Sequence, residues 1–328
     1  MLYPLTFQPI FKERVWGGRK LAGLYGKALP EGKTIGESWE ITDRPEGVSV
    51  IANGPLAGRD LRWLLEQHGA EVLGHPPAPG ERFPWLVKLL DASDDLSLQV
   101  HPPAHKALLL GGEPKTEMWF IADAEPGAKI YTGLRRGVTR AEFERKTHDG
   151  TVEDCFHVHH VRSGDTMFLP SGRVHALGAG NIIFEIQQNS DTTYRVFDWN
   201  RVGLDGQPRE LHLEQSFASI DFFDCEPPLV RAPFAVVAPG ITARPVVRHG
   251  LFSIDHLKVA AGAATALQGE PGLTVVGVVA GTMGISGNGV TVQVGAGEFV
   301  LLPAALGGVE YRSDSSAELL RVTAGRAG

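Results

Sequence analysis

Short apolar runs separated by turn residues recur along the whole chain. Early examples are VWGG (15–18), GESWEIT (36–42) and VSVIANG (48–54), punctuated by Gly, Pro and Asp. Runs of this length between turn residues are typical of β-strands joined by tight turns. The high counts of Gly (40) and Pro (22) favour the same arrangement over long helices. The pattern therefore predicts a mainly β protein.

The strand pattern returns after residue 156, in four runs. They are FHVHHV (156–161), TMFLP (166–170), NIIFEIQQ (181–188) and TTYRVFDW (192–199). FPWLVKLLDA (83–92) is a further candidate for a buried strand, although its apolar run alone does not exclude a helix. Helices are predicted as small insertions in this β framework.

Three segments carry helical signals. Residues 60–73 place leucines and valines on one stripe, and Asp60 can cap the first turn. Thr139 and Glu142 match a capping box, which predicts a helix within 139–150. A short helix is expected at 104–110.

A Pro-rich stretch without periodicity, residues 226–248, is predicted to connect two domains. The larger domain would span 1–225, and a smaller β domain without metal would span 249–328. A weak internal echo supports two related units: SGDTMFLPSGRVH (163–175) resembles GAGEFVLLPAALGG (295–308), which has no His at the matching place. A chance match between two Gly-bounded strands is the alternative.

Composition narrows the functional class. The 328 residues carry a net charge of −7, so no basic surface for nucleic acid is evident. Cys155 and Cys225 cannot form a disulfide framework and indicate a reducing compartment. The N-terminus does not resemble a signal or transit peptide, and no apolar run is long enough to span a membrane. We expect a cytoplasmic protein without membrane or nucleic-acid partners, as a monomer or a homodimer.

Four side chains suggest a metal site. Gln99 and His101 lie two residues apart in LSLQVHPP (96–103), so in a strand they leave from the same face. Glu117 follows in PKTEMWF (114–120), and His175 in FLPSGRVHALG (168–178). Two imidazoles, one carboxylate and one amide oxygen suit a divalent transition metal such as zinc. With one carboxylate against two metal charges, the site stays electrophilic.

These motifs follow one another in the order found in a known protein family. The Gly-bounded strands with this ligand set resemble the cupin jelly-roll barrel. LVKLLDASDDLSLQVHPP, PKTEMWF, GDTMFLPSGRVHALG and EIQQNSDTTYRVFDW together resemble type I phosphomannose isomerases of the short bacterial kind. The resemblance runs from Pro9 to about Phe223, roughly two thirds of the chain, and is weak after that. It implies a cupin jelly-roll barrel with small helical insertions and a second, smaller cupin-like β domain.

The resemblance also implies a zinc-dependent aldose–ketose isomerase acting on mannose 6-phosphate and fructose 6-phosphate. Its single zinc ion would be held by the four side chains above. The family's active-site lysine falls on Lys115, and its Asp-x-x-x-Arg pair falls on Asp191 and Arg195. Pro103-Ala104 replace acidic residues that the family commonly has, which alters a helix start and leaves the ligands intact.

Other interpretations remain open at this point. The same barrel could be a non-catalytic metal-holding sugar sensor or an iron-dependent oxygenase. Lys115 could be a solvated loop lysine, and Arg195 a structural partner of Asp191 or Asp198. Two further sets of residues are also candidates. The histidines 157, 159 and 160 are expected not to form a second metal site, and the tryptophans at 16, 39 and 119 could line a sugar pocket or pack in the core.

Overall fold

The computed structural model describes residues 1–267 and 272–325, and these residues are mainly β. The helices are α1 (Lys20–Tyr25), α2 (Leu61–Leu73), α3 (Ala104–Ala107), α4 (Arg140–Asp149) and α5 (Leu213–Ser219), with 3₁₀ turns at Gly54–Leu56, Leu108–Leu110 and Val152–Cys155. The strands before α5 are β1 (Ile10–Gly18), β2 (Ile35–Ile41), β3 (Asp43–Arg44), β4 (Gly47–Val48), β5 (Trp85–Ala92), β6 (Leu98–Val100), β7 (Glu117–Ala124), β8 (Lys129–Leu134), β9 (Phe156–His160), β10 (Thr166–Leu169), β11 (His175–Leu177), β12 (Asn181–Gln188) and β13 (Tyr194–Phe197). The strands after α5 are β14 (Ala235–Ala238), β15 (Ile241–Arg248), β16 (Phe252–Val259), β17 (Ala264–Leu267), β18 (Thr274–Ala280), β19 (Thr282–Gly287), β20 (Val290–Gly295), β21 (Phe299–Leu302), β22 (Val309–Arg312) and β23 (Ala317–Ala324).

Two antiparallel sheets form the N-terminal unit. The first has the order β1-β2-β5-β12-β7-β10 and the second has the order β13-β6-β11-β8-β9. Apolar side chains from both sheets meet between them, among them Trp119 and Ile183 from the first sheet and Ile130 and Leu177 from the second. The C-terminal unit repeats the design with sheets β14-β15-β16-β23-β18-β21 and β17-β22-β19-β20. The prediction of a mainly β protein is confirmed.

The six-stranded N-terminal sheet is buried on both faces. Alternate residues of β12 point in opposite directions, and Ile183 joins the core between the two N-terminal sheets. Phe184 joins a second cluster that includes Val275, Phe299 and Leu320 of the C-terminal unit. The continuous apolar run of NIIFEIQQ follows from this double burial.

The expected helices are present at their predicted positions. The Asp60 carboxylate accepts a hydrogen bond from the Trp63 amide at 2.7 Å and so caps α2. Thr139 Oγ1 accepts one from the Glu142 amide at 3.2 Å and caps α4. The segment 104–110 is one short helix followed by a 3₁₀ turn, and the ambiguous run at 83–92 contains strand β5. Among the described residues, no helix is long and apolar enough to cross a membrane.

The predicted connector differs from the structure. Strands β14 and β15 lie inside 226–248 and pair with the C-terminal sheet, so the irregular part is 226–234. Ile241, Val246 and Val247 are buried, which explains why this segment is ordered. Pro245 is tolerated because the register of β15 shifts between Pro245 and Val247, where a ladder hydrogen bond is not required. The division into domains at the stated boundaries stays a prediction.

The two echoed segments occupy matching places. Strand β10 lies in the first and ends the six-stranded N-terminal sheet, while β21 lies in the second and ends the six-stranded C-terminal sheet. Similar letters in similar topological positions favour a repeated unit over a chance match.

Candidate metal centre and cleft

The four predicted ligands converge between the two N-terminal sheets. Gln99 is in the middle of β6, and His175, the first residue of β11, is its register partner on the neighbouring strand. His101 follows directly after β6, where Pro102 and Pro103 break the ladder. Glu117 begins β7 in the facing sheet. The site therefore draws its side chains from both walls of the sandwich.

The ligand atoms lie close together and are buried. His101 Nε2 lies 3.5 Å from Glu117 Oε2, and His175 Nε2 lies 3.3 Å from Glu117 Oε1. Gln99 Nε2 lies 3.2 Å from His175 Nε2, and half a turn of this amide puts its oxygen there instead. All three titratable ligands have atoms within 4.8 Å of one another.

The pairing of these polar atoms is incomplete. His101 Nε2 and both Glu117 carboxylate oxygens are buried without a hydrogen-bond partner in the described structure. Buried polar groups are ordinarily satisfied, and a carboxylate is costly to bury alone. Two imidazole nitrogens, one carboxylate and one amide fit a divalent cation such as zinc at the point on which they converge.

Backbone carbonyls orient both imidazoles. His101 Nδ1 lies 2.8 Å from the Thr192 carbonyl oxygen, and His175 Nδ1 lies 2.9 Å from that of Arg173. A carbonyl accepts only, so each ring carries its proton on Nδ1 and turns the Nε2 lone pair to the site. Burial lowers the pKa of both histidines, and for His101 the nearby Lys115 lowers the pKa further. Both rings are neutral near pH 7, as metal binding requires.

A cleft of about 590 Å³ opens beside this cluster. Gln99 and all three predicted catalytic residues, Lys115, Asp191 and Arg195, line it. The structure therefore brings the predicted ligands and the predicted catalytic residues to one place. A shallower depression of about 410 Å³ near His157 contains none of them.

Lys115 is 4% exposed, and its Nζ lies 3.9 Å from Glu117 Oε2. It is therefore not a solvated loop lysine. Asp191 is half-buried and faces Lys88 Nζ at 3.9 Å.

Arg195 is the register partner of Gln99 on β13 and donates from Nη1 to the Glu210 carbonyl oxygen at 2.6 Å. Its buried Nε has no partner in the described structure. Asp198 pairs with Arg201 and Arg209 instead, so neither of the expected structural partners holds Arg195 in an ion pair among the described residues. Burial lowers the pKa of Arg195, and the positive charge of Arg209 lowers the pKa further. Such a guanidinium is poised for an anionic ligand.

Sequence reasoning missed a buried ionic row beside the metal cluster. Trp39, Lys88, Glu185 and Trp119 are neighbours across four consecutive strands. Lys88 Nζ lies 3.3 Å from Glu185 Oε2 and 3.6 Å from Glu37 Oε2. The signal was present, because a lysine inside LVKLL and a glutamate inside IIFEI need buried partners.

The ionic row shifts the pKa values of the carboxylates next to the cleft. Although burial alone raises the pKa of Glu37, Lys88 and Arg14 reverse the shift and lower it well below its usual value. Burial raises the pKa of Glu185, and Lys88 offsets only part of this. Trp119 Nε1 donates to Glu185 at 2.9 Å, which holds one carboxylate oxygen in place.

The remaining sequence candidates are also located. Trp39 and Trp119 are buried and donate hydrogen bonds to Glu37 and Glu185, respectively, while Trp16 lines the cleft. On β9, the His157 and His159 rings lie 4.4 Å apart, and His159 Nε2 lies 2.8 Å from the Pro227 carbonyl oxygen. In the described residues, the group suited to a metal is His101, Glu117 and His175, not these histidines.

Comparison with known proteins places the chain in a family. A sequence profile described as the catalytic domain of phosphomannose isomerase type I matches residues 5–116. A protein of Bacillus subtilis named a probable mannose-6-phosphate isomerase is 37% identical over 327 residues, covering 98% of this chain and 99% of its own. The chain belongs to the type I phosphomannose isomerase family. A mannose-6-phosphate isomerase of Streptococcus mutans is 34% identical over 315 residues, covering 96% of each chain.

Solved structures agree over the whole fold. The crystal structure of the mannose 6-phosphate isomerase from Bacillus subtilis superposes with a TM-score of 0.88 at 32% identity, covering 98% of this chain and 99% of that one. A zinc-bound mannose 6-phosphate isomerase, 16% identical, superposes with a TM-score of 0.78 over 98% of this chain and 100% of the other, which shows a shared fold. The predicted cupin fold class is confirmed.

Proposed function

We propose that this protein is a zinc-dependent isomerase that interconverts mannose 6-phosphate and fructose 6-phosphate. The observation that carries the proposal is that His101 Nε2 and both carboxylate oxygens of Glu117 are buried close together without hydrogen-bond partners in the described structure. The cleft lies beside them. Relatives that are named mannose-6-phosphate isomerases and align along nearly the whole chain support the same activity.

Gln99, His101, Glu117 and His175 would hold the cation. A bound divalent ion supplies positive charge to the developing negative charge on the sugar oxygens. Zinc is favoured because neutral imidazoles, an amide and one carboxylate form the ligand set.

The side chains of the cleft would bind the sugar and transfer protons to and from the reacting carbons. Aldose–ketose isomerisation removes a proton from C2 and returns one to C1, so it needs a base with a reachable pKa. Glu185 is suited to this because its carboxyl pKa is raised by burial. Asp191 is the second carboxylate that lines the cleft near Lys88. Lys115 Nζ can donate to the sugar oxygen on which charge develops.

The charges of the cleft suit an anionic substrate. Five cationic and five acidic side chains line the cleft, and a divalent cation bound to Glu117 adds a net positive charge. The lining charges are Arg14, Lys88, Lys115, Arg195 and Arg209 against Glu13, Glu37, Glu185, Asp191 and Asp205. An acidic protein can therefore attract a sugar phosphate locally.

The test is an isomerase assay on metal-stripped and reconstituted protein. Purified protein should form fructose 6-phosphate from mannose 6-phosphate, lose this activity with a chelator and regain it with zinc. A metal-holding sensor would bind the sugar without turnover, and an iron-dependent oxygenase would consume oxygen. Either outcome would contradict the proposal.

A further inference from the structure

Arg14 faces the cleft from a bulged stretch of β1. The register of β1 with β2 shifts between Glu13 and Gly18, so the residues between them leave the regular ladder. Residues 13–16 consequently all line the cleft. The stem of Arg14 lies against Gly36 on β2, where an added Cβ would come within 2.6 Å of Arg14 Cβ. The position of this side chain therefore depends on a glycine in the neighbouring strand.

One side of the Arg14 guanidinium is held by the buried ionic row. Its Nε donates to Glu37 Oε1 at 2.9 Å. The other carboxylate oxygen of Glu37 accepts from Trp39 Nε1 at 2.6 Å and lies 3.6 Å from Lys88 Nζ. Because these groups fix Glu37, they also fix the direction of the guanidinium that binds it.

The other side of the Arg14 guanidinium is open to the cleft. Nη1 donates to the Glu13 carbonyl oxygen at 3.4 Å, which is a long contact, and Nη2 makes no hydrogen bond among the described residues. The Arg14 side chain is 33% exposed, compared with 10% for Glu37. Arg14 therefore presents N–H donors to a molecule that enters the cleft beside it.

Asp191 is an open acceptor in the same cleft. It lies in the loop between β12 and β13, and its carboxylate makes no hydrogen bond in the described structure, although Lys88 Nζ is 3.9 Å away. Burial lowers the pKa of Arg14, but Glu37 and, more weakly, Asp191 raise it above its ordinary value. Arg14 and Asp191 are thus close enough to attract each other, yet they form no ion pair in the part of the chain that the structure describes. A gap is left between a donor and an acceptor.

The charges around Arg14 favour a neutral group in this gap over an anion. Glu37 already neutralises the guanidinium, and Asp191 adds a second negative charge nearby. A hydroxyl group can accept a hydrogen bond from Arg14 and donate one to Asp191 at the same time. A fully ionised anion could only accept, and it would be repelled by the carboxylate.

We propose that Arg14 is a specificity-determining residue that binds, together with Asp191, a hydroxyl group of the sugar at C3 or C4. The inference rests on the proposed function, in which C1 and C2 face the metal cluster. In the sheet order, β2, β5 and β12 separate β1 from β7, the strand that begins with Glu117. Arg14 therefore meets a part of the sugar that does not react. A site that hydrogen-bonds a substrate hydroxyl rejects an analogue without it, because its own polar groups are then left unpaired.

The test combines protein variants with 3-deoxy and 4-deoxy analogues of mannose 6-phosphate. In unmodified protein, one of the two analogues should lose roughly 10–100-fold in kcat/KM, the range for a hydrogen bond to a charged group. Arg14→Gln should lose a similar factor with mannose 6-phosphate itself. In this variant the same analogue should lose clearly less than in unmodified protein, because one partner of the missing hydroxyl is already absent. Lys33→Gln is the matched control, since Lys33 pairs with Glu13 at 2.9 Å and does not line the cleft, and it should leave kcat/KM for every sugar unchanged.

Equal losses for each analogue in Arg14→Gln and in unmodified protein would overturn the inference, since Arg14 would then act only by holding Glu37. A parallel rise in the inhibition constant of inorganic phosphate in Arg14→Gln would also overturn it, because the ligand of Arg14 would then be an anion. If Arg14→Gln does not fold, Arg14→Lys keeps a cation beside Glu37 without the planar fork, and the same comparison applies to it. Unmodified protein that turns over none of the sugars would instead refute the proposed function, so the two failures are distinguishable.

Discussion

Loss of either histidine ligand should abolish metal binding and its contribution to stability. His101 and His175 each face a different oxygen of Glu117, which is fully buried. Without a cation, the nearest positive charge to that carboxylate is Lys115, at 3.9 Å. A ligand that binds only the folded state at 100 to 1,000 times its Kd stabilises that state by about 2.7–4.1 kcal/mol. For 328 residues, each adding about 2.1 cal/mol/K to the entropy of unfolding, that free energy corresponds to roughly 4–6 °C in Tm.

The assay is thermal unfolding with and without a chelator, alongside metal analysis. Unmodified protein should contain one divalent metal ion per chain, and the chelator should lower its Tm by the amount given above. His101→Ala and His175→Ala should contain little metal and show no chelator effect. His159→Ala is the matched control, since this histidine bonds to a backbone carbonyl on β9 and should keep both the metal and the chelator effect. Full metal occupancy in both ligand variants, or a metal-free His159→Ala, would refute the assignment.

Two further predictions concern other charges. Arg195→Ala should lower kcat/KM by about 30-fold to 10³-fold, and lysine at this position should rescue the activity poorly. Tm and metal content should change little, because no carboxylate of the described residues forms an ion pair with Arg195. Normal kinetics with a large drop in Tm would show a structural role instead. The hydrogen bond from His256 lowers the pKa of Glu318 from its ordinary 4.5 to about 2, so its stabilisation is present above pH 4.5 and is lost as pH falls through about 2. In Glu318→Gln, the free energy of unfolding should therefore fall less between pH 4.5 and about 2 than in the unmodified protein. Urea titrations of chelator-treated protein measure this difference. The same pH dependence in both proteins would contradict the reasoning.

Sequence analysis located best the residues whose chemical type and spacing both predict the same position. Gln99 and His101 are two residues apart and a proline pair follows them, so their position at the end of a strand followed from local rules. Lys115 was found through its place beside Glu117 in a family motif. Its burial could not be derived, because that depends on the facing sheet.

The residues that were missed depend on pairing between distant strands. Lys88 and Glu185 lie inside apolar runs that predict strands correctly, but only the register of β5 with β12 makes them neighbours. Residues 235–248 were assigned to the connector because the stretch 226–248 is rich in Pro and has no clear period, whereas the structure accommodates Pro245 at a register shift in β15. Arg209 had no local signal at all, since its place beside Arg195 follows from the return of the chain at His212, whose amide donates to the Arg195 carbonyl oxygen.

The central claim is that this cleft moves a proton between C1 and C2 of a sugar phosphate. The most direct measurement is nuclear magnetic resonance of mannose 6-phosphate incubated with zinc-loaded protein in deuterated water. We predict that fructose 6-phosphate forms, that deuterium enters the sugar at the carbons that exchange protons, and that a chelator stops both processes. A sugar phosphate that remains fully protonated and unisomerised, with the metal bound at one per chain, would contradict the account.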